Sequence, residues 1–493
     1  MTLARFLLLS ICTSSLAACA LESKNSPFTG WYKGYSDCRA EYAAMDERVA
    51  AAGVGTAQFY RVPGYPYLRT NRTLASFRYE VQGLEEVSEW LRRMRDLDQE
   101  ARYYEYLNLG MTDLEHANQR HRFQNCGRIL AAIELEDEAA WARLLDIAVP
   151  SDAYSNFART LGLYPLAAVA MKSRAAQHWS QVRHELATPP EAGDPRLPMR
   201  LWKAKAVENL DLLDEACKRN LSNALGFPAL VGSEWRALAE LHAPQMWIET
   251  ASQGDLPATP AFTQGGLTAD SSRATAYYDI AHARSQMGIL IQISYHFWFK
   301  SSAGADNGPL NGLVWRVTLN KKLQPLTYES MEASGIDHRW YRIQNLTIRT
   351  TEDWWQEPQF VAPEFAPQNE VAVRLRASTH EVRAAISARA LGDIVRNEYL
   401  LQPYENLYLL DRPGGGTRSL FGPNGLIESA WGQDAIGGMA SGILKPGVPR
   451  QLRHHAIAHV GRRHFDDPYL LDTTFVLPAD SDAPQAPLAQ SMH

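Results

Sequence analysis

The sequence predicts an α+β fold, with an N-terminal α-helical domain followed by an antiparallel β-sandwich or barrel-like domain. Three observations carry this. Between about Glu41 and Ala243 the apolar residues recur at steps of three and four, the period of an amphipathic helix. After Pro244 the period becomes two, the period of a strand. The composition agrees: 493 residues, 45% hydrophobic and 21% charged, fall among ordinary globular proteins and exclude a collagen-like, disordered or polytopic membrane chain.

Taken in order, Leu84, Val87, Leu91, Met94, Leu97, Ala101 and Tyr104 form one stripe of a long helix. Ile129 to Val149 and Ala168 to Leu186 read as further helices, and Thr188 to Pro195 as a loop. Val207, Leu210, Leu213, Cys217, Leu221 and Leu225 repeat the helical step until Gly226 and Pro228 stop it. Gly288 to Phe299 then alternates strictly. Ile289, Ile291, Ile293, Tyr295, Phe297 and Phe299 make an apolar face, with Gln292, Ser294, His296 and Trp298 on a mixed one. Leu313 to Leu319 alternates likewise, and the turn-rich stretch Ser301 to Leu310 makes the two a hairpin. Met246–Thr250, Ala276–Ala283, Leu326–Ser330, Val371–Ala377 and Leu400–Leu410 complete about seven strands, while Ala251–Arg273 and Arg412–Gly447 read as loops. The expected organisation is residues 1–18 as a signal, 19–27 as a tether, 28–243 helical, 244–478 β-rich and 479–493 a disordered tail.

Lys and Arg number 49 against 55 Asp and Glu, a net charge of −6 spread along the chain. This is no footprint for nucleic acid or for anionic lipid. The N-terminus is more telling. Arg5 precedes the apolar run Phe6 to Ile11 and small residues follow, the layout of a secretory signal and too short to span a bilayer. Leu16-Ala17-Ala18-Cys19 ends the segment and resembles the lipobox of bacterial lipoproteins. The resemblance implies cleavage before Cys19 and a covalent lipid on Cys19, the one non-protein group expected. Ala20 follows rather than Asp, which by the same resemblance implies the outer membrane, its periplasmic side being favoured. Cys38, Cys126 and Cys217 then remain in an oxidising compartment, with three disulfide pairings open.

The densest group of titratable residues runs from Arg450 to Asp467. On a helix His455 and His459 would stand about 6 Å apart and could share a metal with Asp466 or Asp467, whereas on a strand about 13 Å would separate them. Arg453, Arg462 and Arg463 with neighbouring histidines, His464 included, suggest instead an anion pocket. The plainer reading pairs Arg462 and Arg463 with Asp466 and Asp467, with Asp467-Pro468 opening a short helix through Leu471. A second group lies on the mixed strand face, where His296 and Arg316 share a side if the two strands pair; His338 is the remaining candidate nearby. Such a face either lines a ligand site or is solvated. Trp354 and Trp355 are a candidate platform for sugar rings of peptidoglycan or lipopolysaccharide, or simply core aromatics.

No His-Glu-x-x-His, Gly-x-Ser-x-Gly or Walker-type phosphate loop occurs in the sequence. The stretches Ala243–Glu249, Gly312–Leu319 and Gly461–Asp467 resemble a group of uncharacterised proteobacterial lipoproteins, which implies a shared fold and no activity. Cysteines of that group fall within the segment matching Tyr328–His338, where this chain has Ser334 and Ile336. The expected function is a lipid-anchored envelope binding or scaffold protein. The alternative is a hydrolase of cell-envelope polymers working through the C-terminal His/Asp cluster.

Overall fold

The computed structural model describes residues 27–187, 197–205, 212–213, 219, 222–301, 308–343, 346–349, 355–364, 370–391, 396–428 and 440–477. The signal, Cys19, most of the tether, the loop Thr188–Pro195, most of the stretch Val207–Leu221, Cys217, Trp354 and the tail fall outside them.

The helices are α1 (Pro27–Ala52), α2 (Arg72–Ala75), α3 (Leu84–Asn108), α4 (Asp113–Glu134), α5 (Glu138–Ile147), α6 (Asn156–Leu161), α7 (Tyr164–Ala187), α8 (Gly232–Leu241) and α9 (Leu470–Thr474). The stretch expected as one helix from Ile129 to Val149 breaks at Leu135, because Asp137 accepts the Ala140 N–H at 2.6 Å and caps a new helix. Thr112 and Glu115 form the reciprocal cap that starts α4. The long helices α1, α3, α4 and α5 close around a core with the hairpin β1 (Tyr60–Val62) and β2 (Tyr65–Thr70), in which Trp90, Met94 and Leu144 are fully buried. A disulfide between Cys38 on α1 and Cys126 on α4 ties this core and selects among the three open pairings.

The remaining strands are β3 (Met199–Ala204), β4 (Gln245–Glu249), β5 (Thr259–Thr263), β6 (Gly266–Asp270), β7 (Thr275–Ser285), β8 (Gly288–Lys300), β9 (Leu310–Leu319), β10 (Pro325–Glu332), β11 (Arg339–Arg342), β12 (Thr347–Ile348), β13 (Phe360–Ala362), β14 (Val371–Leu375), β15 (Val382–Ser387), β16 (Arg396–Pro403), β17 (Leu410–Asp411), β18 (Thr417–Arg418) and β19 (Phe475–Val476). Eleven of these build one curled sheet in the order β13-β11-β10-β9-β8-β7-β16-β3-β4-β14-β15. The α+β class holds at this level, and two finer expectations are corrected. The sheet is mixed, with β13/β11, β16/β7, β16/β3 and β4/β14 parallel. In addition, β3 comes from the span expected to be helical, because alternation over so few residues is too short to show in the sequence. The expected loop Ala251–Arg273 holds the hairpin β5/β6.

Both faces of the central strands are buried. The apolar face of β8 packs with α7 and α8, where Ile293, Tyr295, Phe297 and Ala239 are fully enclosed. The mixed face, expected either to line a site or to be solvated, is covered by chain from the C-terminal third, including Tyr404, Leu452 and Phe465. Gly312 permits this: a Cβ there would lie 2.8 Å from Ala333 and 2.9 Å from the indole of Trp298, its partner across the ladder.

Candidate functional site

Pairing of β7, β8, β9 and β10 places Asp279, Ser294, Arg316 and Glu329 directly opposite one another in one row on the mixed face. A strand period of two keeps Gln292, Thr318 and Thr327 on the same face in the next row. Charge in such a place must be paired. Arg316 does so by a two-armed contact with Glu329, at 2.8 and 2.6 Å, and its third arm donates to the Phe465 carbonyl oxygen at 2.6 Å. The Phe465 ring lies 3.6 Å from the guanidinium. The Glu329 oxygen that accepts from Arg316 at 2.6 Å, Oε2, also meets His338 Nε2 at 2.9 Å. Burial pushes the Glu329 carboxyl up, but Arg316 and His338 outweigh it and hold the group below its ordinary value. An ionised Glu329 only accepts, so the Nε2–H of His338 donates. His338 itself is held neutral by burial against the pull of Glu329.

At the far end of the row the sheet opens. The strand β16 runs parallel to β7 only as far as Pro403 opposite Tyr278, and Pro403 has no N–H with which to continue. Beyond Tyr278 the outer edge of β7 is left to a cleft that runs between it and α3. Its two lobes, of about 330 and 520 Å³, share Arg92, Arg93, Phe227, Ile280, His282 and Glu405 as walls. Arg453 grips both oxygens of Asp279 at 2.9 and 3.1 Å, from a backbone in the left-handed region at φ +72°. Such a conformation costs about 1–3 kcal/mol in a bulky residue and persists only where contacts enforce it. Here Tyr60 supplies a hydroxyl donated to the Arg453 carbonyl oxygen at 2.6 Å. Arg93 lies 3.8 Å over the Phe227 ring. Arg72 holds one oxygen of Asp466 at 3.1 Å; the other is buried with no hydrogen-bond partner among the described residues.

Burial, then the charge of Asp279, pushes the Glu405 carboxyl up to about 7, and burial raises that of Glu100. Burial, with the cations Arg93 and Arg453, pushes His282 down to about 3. The cleft therefore presents two carboxyls pushed up by burial, a neutral imidazole, fixed ion pairs and aromatic rings together. Of its residues, the sequence had singled out Arg316, Arg453 and Asp466. Asp279 was legible as the lone charge in an apolar run. Arg92, Arg93 and Glu405 carried no such mark, being ordinary surface residues by type.

The other sequence candidates separate. His296 is fully buried, both ring nitrogens lack hydrogen-bond partners among the described residues, and burial pushes it down to about 3. His455 is also fully enclosed, its Nε2 3.0 Å from the Ala333 carbonyl oxygen. The segment from His455 to His459 is neither helix nor strand, so the helical spacing that would let the two share a metal is not present. Among the described residues no three His, Cys, Asp or Glu gather as metal ligands.

Arg462 and His464 instead meet Asp152, the latter at 2.9 Å. Asp467 accepts the Tyr469 N–H at 2.9 Å in a turn ahead of α9, which starts at Leu470 rather than at Pro468. The anion pocket of Arg453, Arg462 and Arg463 is likewise dispersed. Arg463 with His338 and His459 lines a different cavity, beside α7. Trp355 is 47% exposed. No protein-family model, no curated protein and no solved structure matches this chain.

Proposed function

We propose that the protein is a lipoprotein, anchored through Cys19 to the periplasmic side of the outer membrane, that binds peptidoglycan strands in the cleft between α3 and β7. The observation that carries the binding reading is the cleft itself. It is a groove of two adjoining lobes lined by the aromatic residues Phe227, Trp235 and Tyr278 and by charged groups of both signs held in fixed pairs. Amino-sugar polymers bearing peptide carboxylates and ammonium groups need this combination: flat apolar surface for the sugar ring and oriented polar groups for its substituents. Trp355 no longer has to supply the platform. The anchor rests on Leu16-Ala17-Ala18-Cys19 and the signal layout before it. The expected tether, residues 19–27, would keep the fold within reach of the wall.

Co-sedimentation with purified sacculi tests the binding. Wild type pellets with sacculi, and the double variant Arg92→Ala, Arg93→Ala loses most of that binding while keeping its circular dichroism. Equal pelleting of the two proteins would overturn the assignment of the cleft. For the anchor, a Cys19→Ser chain leaves the membrane fraction; one that remains there refutes it.

A hydrolytic version of the same reading rests on Glu405, whose carboxyl is pushed up to about 7, beside the Asp279–Arg453 ion pair. A raised carboxyl next to a second, salt-bridged one is the equipment of acid and base catalysis on a glycosidic bond. Release of soluble fragments from sacculi, lost in Glu405→Gln, would establish it, and the absence of release leaves the binding reading alone standing.

A further inference from the structure

The cavity beside α7 measures about 700 Å³, within the roughly 300–1,000 Å³ of ligand pockets, and its chemistry differs from that of the cleft. One wall is a stripe of α7: Ala167, Ala170, Met171, Arg174, Ala175 and His178 step by three and four and so face the same way. The opposite wall includes Ile336 and Val460 from loops and Phe360 from the start of β13. Small side chains on the helix leave the room, and apolar ones dominate the lining.

The polar groups are Arg174, Arg463 and three histidines, with two acids, of which Asp337 is taken up by Arg339 at 2.8 Å. The Arg463 guanidinium donates to the Glu357 carbonyl oxygen at 2.7 Å, and among the described residues it forms no ion pair with a carboxylate. The Glu357 carboxylate is turned instead to the His459 backbone N–H at 2.7 Å. Burial lowers the Arg463 pKa, and the nearby charge of Glu357 offsets this only in part. A half-buried cation without an ion-pair partner in an apolar chamber is costly unless an anion arrives.

A second observation points to what carries that anion. Immediately before the cavity stripe, Phe157 and Leu161 on α6, Leu163 in the turn, and Leu166 on α7 are 75%, 57%, 63% and 73% exposed. Isolated exposed apolar residues are ordinary, but four within ten positions form a patch. On α7 Leu166 stands one turn before Ala170, a residue of the stripe that lines the cavity, and so lies on the same side of the helix.

We propose that this cavity binds one long-chain fatty acid, its tail along the Ala167–Ala175 stripe and its carboxylate paired with Arg463, entering over the Phe157–Leu166 patch. The site is separate from the cleft of the proposed function and does not depend on it.

Titration with oleate, read by displacement of a fluorescent fatty acid from the full chain carrying Cys19→Ser, tests this. The expected result is saturable binding of one oleate per chain, abolished by Ala170→Trp, which fills the chamber from an exposed helical position. Arg463→Ala weakens oleate at least tenfold and leaves oleyl alcohol unchanged. In wild type, oleate binds at least tenfold tighter than oleyl alcohol, so the role of charge is read even if Arg463→Ala does not fold. Absence of saturable oleate binding, unchanged binding by Ala170→Trp, or equal affinity of wild type for acid and alcohol would each overturn the proposal.

Discussion

Glu329 and His338, nine residues apart on either side of a turn, meet at 2.9 Å with neither side chain more than 4% exposed. Through Glu329 the contact extends to Arg316, so that one buried carboxylate joins a residue of the α3–β7 cleft to a residue of the α7 cavity.

Removing that carboxylate leaves a buried guanidinium without its counter-charge. Glu329→Gln is therefore expected to lower stability by about 3–5 kcal/mol, the usual cost of breaking a buried pair. Urea denaturation at pH 7 measures it. His338→Phe, which removes only the neutral partner, should cost less than half as much.

A second buried network stabilises the helical core. Arg69 reaches Asp98 at 3.2 Å and Glu105 at 2.8 Å, and Arg102 reaches Asp98 and Asp46 at 2.8 Å each. Asp98, Arg102 and Glu105 share one face of α3. Arg69→Ala takes one arginine from each of two buried carboxylates, leaving Asp98 with Arg102 and Glu105 with Arg61 at 3.3 Å, and should cost about 3 kcal/mol, the low end for a broken buried pair. Replacing Arg69, Asp98 and Glu105 together by apolar residues of similar volume should recover much of that loss, as double- and triple-mutant denaturation would reveal.

The Cys38–Cys126 disulfide closes a loop across a sequence separation of 88. Cys38→Ser with Cys126→Ser should destabilise the chain by about 2–5 kcal/mol. Calorimetry of wild type with and without reductant should show the same shift in Tm, and no shift in the double variant.

Two acids make stability fall with rising pH. Burial, then Asp279, lifts Glu405 to about 7, and burial, then Asp337, lifts Glu332 to about 8, against about 4.3 for a free Glu. Each keeps a proton in the folded state that the unfolded chain releases. Their stabilisation is complete below pH ~4.3 and is lost as pH rises through 7 and 8. Thermal melts from pH 5 to 8.5 should show Tm falling in wild type and falling less in Glu405→Gln and Glu332→Gln.

What the sequence disclosed follows from which signals are local. Helix α3 and strands β8 and β9 announce themselves because their apolar residues repeat over many positions. The strand β3 does not, and its place between β16 and β4 depends on pairings with distant chain. The same division governs the site. Arg316 was marked as a charge in an apolar strand, yet its partner Glu329 could be named only once β10 was laid beside β9. In the C-terminal cluster, nearness in sequence misled. Arg462, Arg463 and Asp466 find Asp152, Glu357 and Arg72 instead of one another, because an irregular segment threaded through the fold meets whatever packs around it.

The proposed binding of the wall polymer puts its sugar rings in the cleft at the free edge of β7. Calorimetric titration of the Cys19→Ser chain with soluble disaccharide-peptide fragments of peptidoglycan tests it most directly. Saturable one-site binding is expected, weakened at least tenfold by Trp235→Ala and unchanged by Trp355→Ala. Binding that survives Trp235→Ala intact, or no binding heat at any fragment concentration, would contradict it.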